Sequence, residues 1–416
     1  MKVFLVAGEA SGDLHASHVV SSLRKSWQSN PRSQSESLEL VGWGGDRMQQ
    51  AGMRLLSHYR DRAFMGLVEV IKNLKTVMGF LSQAKEDIVR ENPDVLLLID
   101  NPGFNLRLAE FAKARGIKVH YYIAPKAWAW NEGRIKAMRK SIDRLYGIFP
   151  FEVEYFGQRG MPCTYVGNPI LEEINSSVER FHEQRGWDVD LGDWVQETDS
   201  KVILLMPGSR KNEVRSLLPI FIQSARLYDS HAVCVVAGAP GLDIQFYESV
   251  MAEAVKNGDL KEADQESVQV VFGATYHLLM QLGDGEMVHP VVSSLKGRGL
   301  ALVASGTATL ETALLGVPQV VAYRVNALTF WAAKWLVKLR WVSLVNILLG
   351  RGLLEEHLQQ ITTSTLVASL HAIDQQKAGS RYEELAKGYR ELRDLLQLPE
   401  GQSASMRVAK EVLAGQ

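Results

Sequence analysis

The sequence predicts an α/β protein made of two successive parallel sheets. Three observations carry this. Short runs with both faces apolar alternate with longer amphipathic stretches, the pattern of parallel strands covered by helices. The alternation runs through the first 170 residues, breaks, and resumes after residue 200. A chain of 416 residues is long for one hydrophobic core.

In the first half, strands are expected at 2–7, 38–42, 94–100, 118–123, 144–149 and 163–166. Helices are expected between them, including 16–25, 67–90 and 106–115. The stretch 171–200 breaks the pattern, with nine acidic residues against two arginines. Strands resume at 201–206, 232–237, 268–272, 300–305 and 319–323, and from Leu328 onward the chain reads as helices. The expected domains are therefore 1–170, an acidic linker 171–200, 201–375, and C-terminal helices 376–416 that pack back on the first domain.

Composition narrows the function classes. With 46% hydrophobic and 22% charged residues, the chain is an ordinary globular protein. A formal net charge of −1 gives no basic field for nucleic acid. Cys163 and Cys234 are too few and too far apart for a disulfide framework or a zinc site. They fit a reducing compartment. The N-terminal apolar run is too short for a signal peptide, and no run approaches about 18 apolar residues. A cytoplasmic protein is expected, with surface attachment to a membrane left open.

Ligands of open parallel sheets bind beyond the carboxyl ends of the strands. The loops there hold the candidates. The run 300–303 leads into Ala304-Ser-Gly-Thr-Ala-Thr-Leu-Glu311. A strand, a small hydroxyl- and glycine-rich turn and a helix start present free N–H groups and a positive dipole end to an anion. Ser305, Gly306 and Thr307 form that turn. Glu311, one turn on, is placed to accept hydrogen bonds from sugar hydroxyls. Phosphate plus sugar suggests a nucleotide. Pro207-Gly-Ser-Arg210 is a weaker echo: Gly208 and Ser209 offer N–H groups and Arg210 a two-pronged donor.

The other loops are ambiguous. In Gly8-Glu-Ala-Ser-Gly-Asp13, Gly8 and Gly12 permit close backbone approach and Ser11 suits a helix cap, yet a plain strand–helix turn reads the same. There is no dinucleotide fingerprint and no Walker loop. Asp100, at the end of a buried strand, is either a loop cap or a partly desolvated general base. Trp128 and Trp130 are either packing or a ligand wall. Trp331, Lys334, Trp335 and Lys338 lie at helical spacing and suit either a membrane interface or a solvated face. The apolar stretch 64–75 is either core or a second landing area.

Taken in order, these loops resemble the lipid-A-disaccharide synthase family, inverting glycosyltransferases of GT-B fold. The motifs are Ala7-Gly-Glu-Ala-Ser-Gly-Asp-Leu14, Met65-Gly-Leu-Val-Glu-Val70, Ile99-Asp-Asn-Pro-Gly-Phe-Asn105, Trp128-Ala-Trp130 and Phe149-Pro-Phe-Glu152. They continue with Pro207-Gly-Ser-Arg210, Ser305-Gly-Thr-Ala-Thr-Leu-Glu311, Tyr323-Arg324, Leu328-Thr329 and Asn346. The resemblance runs to about Gln359. Each motif is weak alone; their order and spacing are specific.

The resemblance implies two Rossmann-like domains facing across a cleft. It implies transfer of 2,3-diacylglucosamine from UDP to the 6-hydroxyl of 2,3-diacylglucosamine 1-phosphate, with no metal or organic cofactor. Asp100 is similar to the family's base, Arg210 to its diphosphate-binding arginine, and Asn346 to its polar residue near the donor. The UDP-sugar side would take Gly208, Ser209, Ser305, Gly306, Thr307, Thr309, Glu311, Arg324 and Gln359. The acceptor side would take Gly8, Ser11, Gly12, Asn105 and Trp128. Acylated substrates imply peripheral contact with the inner face of the cytoplasmic membrane, and a homodimer is compatible. The chain departs from the family at Ala124 for Ser, Asn168 for His, Val345 for Pro and Glu355 for Pro. The rival readings are another GT-B enzyme, including a UDP-sugar epimerase, and a non-catalytic two-lobed sugar- or nucleotide-binding protein.

Overall fold

The computed structural model describes residues 1–62, 74–184, 189–195, 200–284, 295, 297–324 and 340–414. They form two compact units, one of Met1–Glu172 with Leu396–Gln416, the other of Glu173–Leu395.

The first unit holds a seven-stranded sheet: β1 (Lys2–Ala7), β2 (Glu39–Gly44), β3 (Arg54–His58), β4 (Val95–Ile99), β5 (Lys118–Tyr122), β6 (Arg144–Gly147) and β7 (Cys163–Tyr165). Their order is β3-β2-β1-β4-β5-β6-β7, every neighbouring pair parallel. The second unit holds six: β8 (Val202–Met206), β9 (Val233–Gly238), β10 (Val268–Phe272), β11 (Gly299–Ala304), β12 (Gln319–Tyr323) and β13 (Glu356–Leu358). Their order, β10-β9-β8-β11-β12-β13, is also all parallel. In each sheet the winding reverses beside its first strand, between β1 and β4 and between β8 and β11. Such a switch point leaves a crevice where the two following loops part to opposite faces.

The strands at both switch points are apolar on both faces. β4, β8 and β11 are buried throughout, as is β1 after Lys2. In the first unit Phe4, Val6, Leu96, Leu98, Val119 and Tyr121 share one core cluster. At about 1.5–3 kcal/mol for each large side chain buried, these strands are held where the sequence puts them.

Two strands were not expected, and both are sheet edges. β3 is half-exposed, and Arg54 pairs with Glu39 at 2.8 Å and with Glu91 at 2.7 Å. β13 is three residues long and carries a Glu and a His, so the reading of helix alone after Leu328 is corrected. The first helix spans Ala10–Gln28 rather than 16–25, with Glu9 at its cap position and no side-chain cap bond. Ser11 therefore sits inside the helix, and its expected capping role is corrected. The acidic stretch begins within a helix, Pro169–Gln184, and later holds a short 3-10 turn, Leu191–Trp194.

The last helix, Ala404–Ala414, packs on Ala10–Gln28. Ser405 meets Ser22 at 2.7 Å, and Glu172 accepts from the Ser403 hydroxyl at 2.9 Å and the Ser405 N–H at 3.1 Å.

Candidate active site

In the first unit the switch point lies between the loops after β1 and β4, and the loops after β5 and β6 follow on the β4 side. Asp100 and Asn101 follow β4, both left-handed with φ 45°. Two consecutive non-glycine residues in that region are strained, and the surroundings hold them. The Asp100 N–H donates to the Tyr122 carbonyl at 2.9 Å. The Asp100 carbonyl accepts from the Asn105 amide at 2.8 Å and from the Tyr121 hydroxyl. Asn105 is fully buried, and its amide also reaches the Ile99 carbonyl at 3.0 Å. It clamps the strained turn from within, where the expectation had it on the acceptor side.

Gly8 leaves β1 beside this turn. A Cβ there would lie 2.1 Å from the Asn101 side-chain nitrogen, so any other residue would have to displace the Asn101 amide. Burial pushes the Asp100 carboxyl above its ordinary value and nearby Glu9 adds to this; Lys126 and the Asn101 N–H oppose it. A carboxyl so raised suits a general base.

Gly12 is buried and Ser11 exposed. Asp13 beside them was not singled out. It is buried, and it accepts from the N–H groups of Gly45 at 2.8 Å, Met48 at 3.1 Å and Arg47 at 3.2 Å, which fixes the loop after β2.

The Trp128 indole donates to Glu152 at 3.0 Å and stands edge-on to Phe149 and Phe151. Trp130 is 48% exposed under the Arg134 guanidinium. Glu152 is the residue that sequence reasoning passed over. It is fully buried and also accepts from Ile148 and Phe149 N–H at 2.8 and 3.0 Å. Burial still pushes its carboxyl up to about 7. Its signal in the sequence was the Phe149-Pro-Phe-Glu152 motif. The family departures Ala124, Asn168 and Val345 are all buried, and Asn168 bonds the Ile148 carbonyl and the Ile170 N–H.

In the second unit Gly208 has φ 108°, and a Cβ would strike the Glu213 carboxylate at 2.5 Å. That carboxylate accepts from the N–H groups of Ser209 and Arg210 at 3.1 and 3.2 Å, and from the Arg210 guanidinium at 3.0 Å. The Ser209 amide expected to be free is thus taken by an internal anion. The arrangement still shows that the loop binds a carboxylate, and Arg210 remains 76% exposed.

After β11, Gly306 and Thr307 are exposed at the start of the Thr307–Leu314 helix. Ser305 donates its hydroxyl to the Val342 carbonyl at 3.0 Å. Thr309 is fully buried and donates to the Gly306 carbonyl at 2.9 Å, so it shapes the turn from inside. Burial pushes Glu311 up to about 7 and Glu173 adds to this, while Tyr276 hydrogen-bonds the carboxyl. Arg324 reaches the Ser216 and Ile361 carbonyls at 3.5 and 3.3 Å.

Asn346 was expected beside the donor. The structure buries it completely. Its amide donates to the Leu354 carbonyl at 2.9 Å and Glu356 at 2.8 Å, and accepts from the Leu354 N–H at 2.8 Å. Every atom of that amide has an internal partner. Glu356, also passed over, accepts in addition from Val342 and Ser343 N–H, both at 2.9 Å. Gln359 is left-handed at φ 63°, and its side-chain nitrogen is buried with no partner among the described residues.

Trp331, Lys334, Trp335 and Lys338 lie outside the described residues, as do Leu328-Thr329 and the 65–70 motif. Both cysteines are free. Among the described residues no acidic, histidine or cysteine group is arranged to hold a metal, and no helix is long and apolar enough to cross a membrane.

Comparison with known proteins adds sequence likeness to this geometry. The family model for lipid-A-disaccharide synthetase matches residues 3–281 and 291–410. A lipid-A-disaccharide synthase of Myxococcus xanthus is 32% identical, covering 99% of this chain and 97% of its own. One of Syntrophus aciditrophicus is 33% identical over 95% of this chain and 94% of its own. Among solved structures, the UDP-GlcNAc 2-epimerase of Methanocaldococcus jannaschii with UDP-GlcNAc and UDP aligns over 100% of both chains at TM-score 0.60 and 13% identity. A glycotransferase of kitacinnamycin aligns over 99% of this chain and 98% of its own at TM-score 0.52 and 14% identity. At those identities the structures share the fold alone.

Proposed function

Because the chain belongs to the lipid-A-disaccharide synthase family, we propose that its two switch points divide one glycosyl transfer, deprotonation in the first unit and leaving-group stabilisation in the second. The protein is a glycosyltransferase. It moves 2,3-diacylglucosamine from UDP to the 6-hydroxyl of 2,3-diacylglucosamine 1-phosphate with inversion, releasing UDP. Asp100 takes the proton of the attacking hydroxyl. The bond from the donor anomeric carbon to UDP breaks as the new bond forms on the opposite face. Arg210 and the Gly306–Thr307 turn carry the charge that builds on the diphosphate.

The observation that carries this reading is Asp100, a raised carboxyl on a strained turn at a switch point. On the donor side, the Glu213 carboxylate supports an anion at the 208–210 loop, and the diphosphate displaces it. Asn346 acts through Glu356, which holds Val342 and Ser343 and so, through Ser305, the turn. Gln359 has a free amide donor for the sugar, and Glu311 faces the ribose. No cofactor enters the reaction as written.

The enzyme is to be incubated with UDP-2,3-diacylglucosamine and 2,3-diacylglucosamine 1-phosphate, and the lipid analysed by mass. The acylated disaccharide phosphate plus UDP is expected; turnover of unacylated UDP-sugars alone would replace this reading with a soluble-sugar enzyme.

Substrates with acyl chains leave a bilayer to react. Peripheral membrane contact through Trp331, Lys334, Trp335 and Lys338 follows as part of the proposal. Co-sedimentation with anionic vesicles that weakens with salt is expected; no sedimentation at any ionic strength rejects it.

A further inference from the structure

The acceptor has two groups to be held at once: a 6-hydroxyl that attacks and a 1-phosphate that does not. In a pyranose, C1 and C5 both flank the ring oxygen, so the phosphate and the hydroxymethyl group lie on one edge of the sugar. A cation that holds the phosphate must stand within one sugar's width of the base. Most cations in the loops after the strands of the first unit are otherwise engaged or distant. Arg60 pairs with Asp46 at 3.1 Å. Arg134 lies over the Trp130 ring at 4.2 Å. Arg47 follows β2, which β1 separates from β4.

Lys126 differs. Its loop follows β5, the hydrogen-bonded neighbour of β4, and the register pairs Ile99 with Tyr122. Asp100 and Ile123 therefore leave the sheet side by side. Ile123 turns left-handed at φ 65°, and the Lys126 carbonyl accepts from Ala129 and Trp130 N–H at 3.0 and 3.3 Å. The backbone that carries the ammonium is thus fixed. Lys126 is exposed and makes no ion pair within 4 Å among the described residues. Its charge acts on the carboxyls of both Asp100 and Glu152, which stand on the loops after β4 and β6. In the sheet order β4-β5-β6 its loop stands between the loops that carry them.

We infer that Lys126 holds the acceptor's phosphate beside Asp100 and makes the enzyme prefer a phosphorylated sugar to its unphosphorylated analogue. The inference rests on the reaction assigned above. A lysine presents a compact charge with rotatable donors, suited to a phosphate that must be held without a fixed fork geometry.

The test measures kcat/KM for 2,3-diacylglucosamine 1-phosphate and for its 1-hydroxyl analogue in the wild type, Lys126→Met and Lys126→Arg. The wild type should prefer the phosphate. Lys126→Met should cut that preference roughly 10–100-fold, the scale of one charged hydrogen bond, mainly by raising KM for the phosphorylated acceptor. Lys126→Arg should restore much of it. An unchanged preference in Lys126→Met overturns the inference, and so does a wild type with no preference. A wild type that uses neither acceptor overturns the assigned reaction as well, which separates the two failures.

Discussion

Asp100 gives the sharpest residue-scale expectation. Asp100→Asn keeps the shape and removes the base, so turnover should fall by roughly 10²–10⁴-fold. The sign of its pH dependence follows from the raised carboxyl. The base works only when deprotonated, so the rate should climb with pH through that raised pKa, above the ordinary value of about 4. Asp100→Asn should flatten this limb; a variant with wild-type rate and the same limb would sink the assignment. Asp100 was legible because a carboxylate ending an apolar strand needs an explanation. Asn105, Thr309 and Asn346 turn inward, which was not legible because a sequence names a polar side chain but not the direction it takes. All three are fully buried; the amides of Asn105 and Asn346 and the Thr309 hydroxyl donate internally, while Asn105 Oδ1 has no partner among the described residues. Glu152, Glu213 and Glu356 went unread for the converse reason: the backbone N–H groups they hold belong to the fold, not to the sequence.

Elements show a second kind of coupling. The turn after β11 is tied by Ser305 to Val342, and Val342 and Ser343 are tied to β13 by Glu356, which Asn346 steadies. Asn346→Ala removes that brace and leaves the Leu354 N–H and carbonyl short of partners. It should cost about 1–3 kcal/mol in urea unfolding and weaken UDP binding. Stability and UDP affinity both at wild-type level would show that the brace is idle. The strands at the switch points were legible because burial on both faces demands continuous apolar runs. β3 and β13 were not, since an edge strand has one free flank and tolerates Arg54, Glu356 and His357.

At the scale of the whole molecule, the repeat of strand order in the two sheets explains why one loop position recurs in both units as a candidate site. The class, two parallel sheets, was legible from alternation alone. The return of the C-terminal helices to the first unit was expected from residue 376, but only Leu396–Gln416 goes back. The helix before it, Tyr382–Leu396, stays with the second unit because contacts no local pattern announces decide the boundary. One consequence concerns manufacture. Domains tend to fold as they leave the ribosome, amino end first. Here the second unit lies whole between the two pieces of the first, so it can finish folding while the earlier sheet still waits for residues 396–416. A chain stopped after Leu395 loses the burial of Val408, Val412 and Leu413. It should lose on the order of 5 kcal/mol from the first unit and little from the second. Unfolding followed separately in each unit by hydrogen exchange checks this, and equal protection of the first unit with and without the tail would refute it. For this protein the codons for residues 396–416 decide when residues 1–172 become stable.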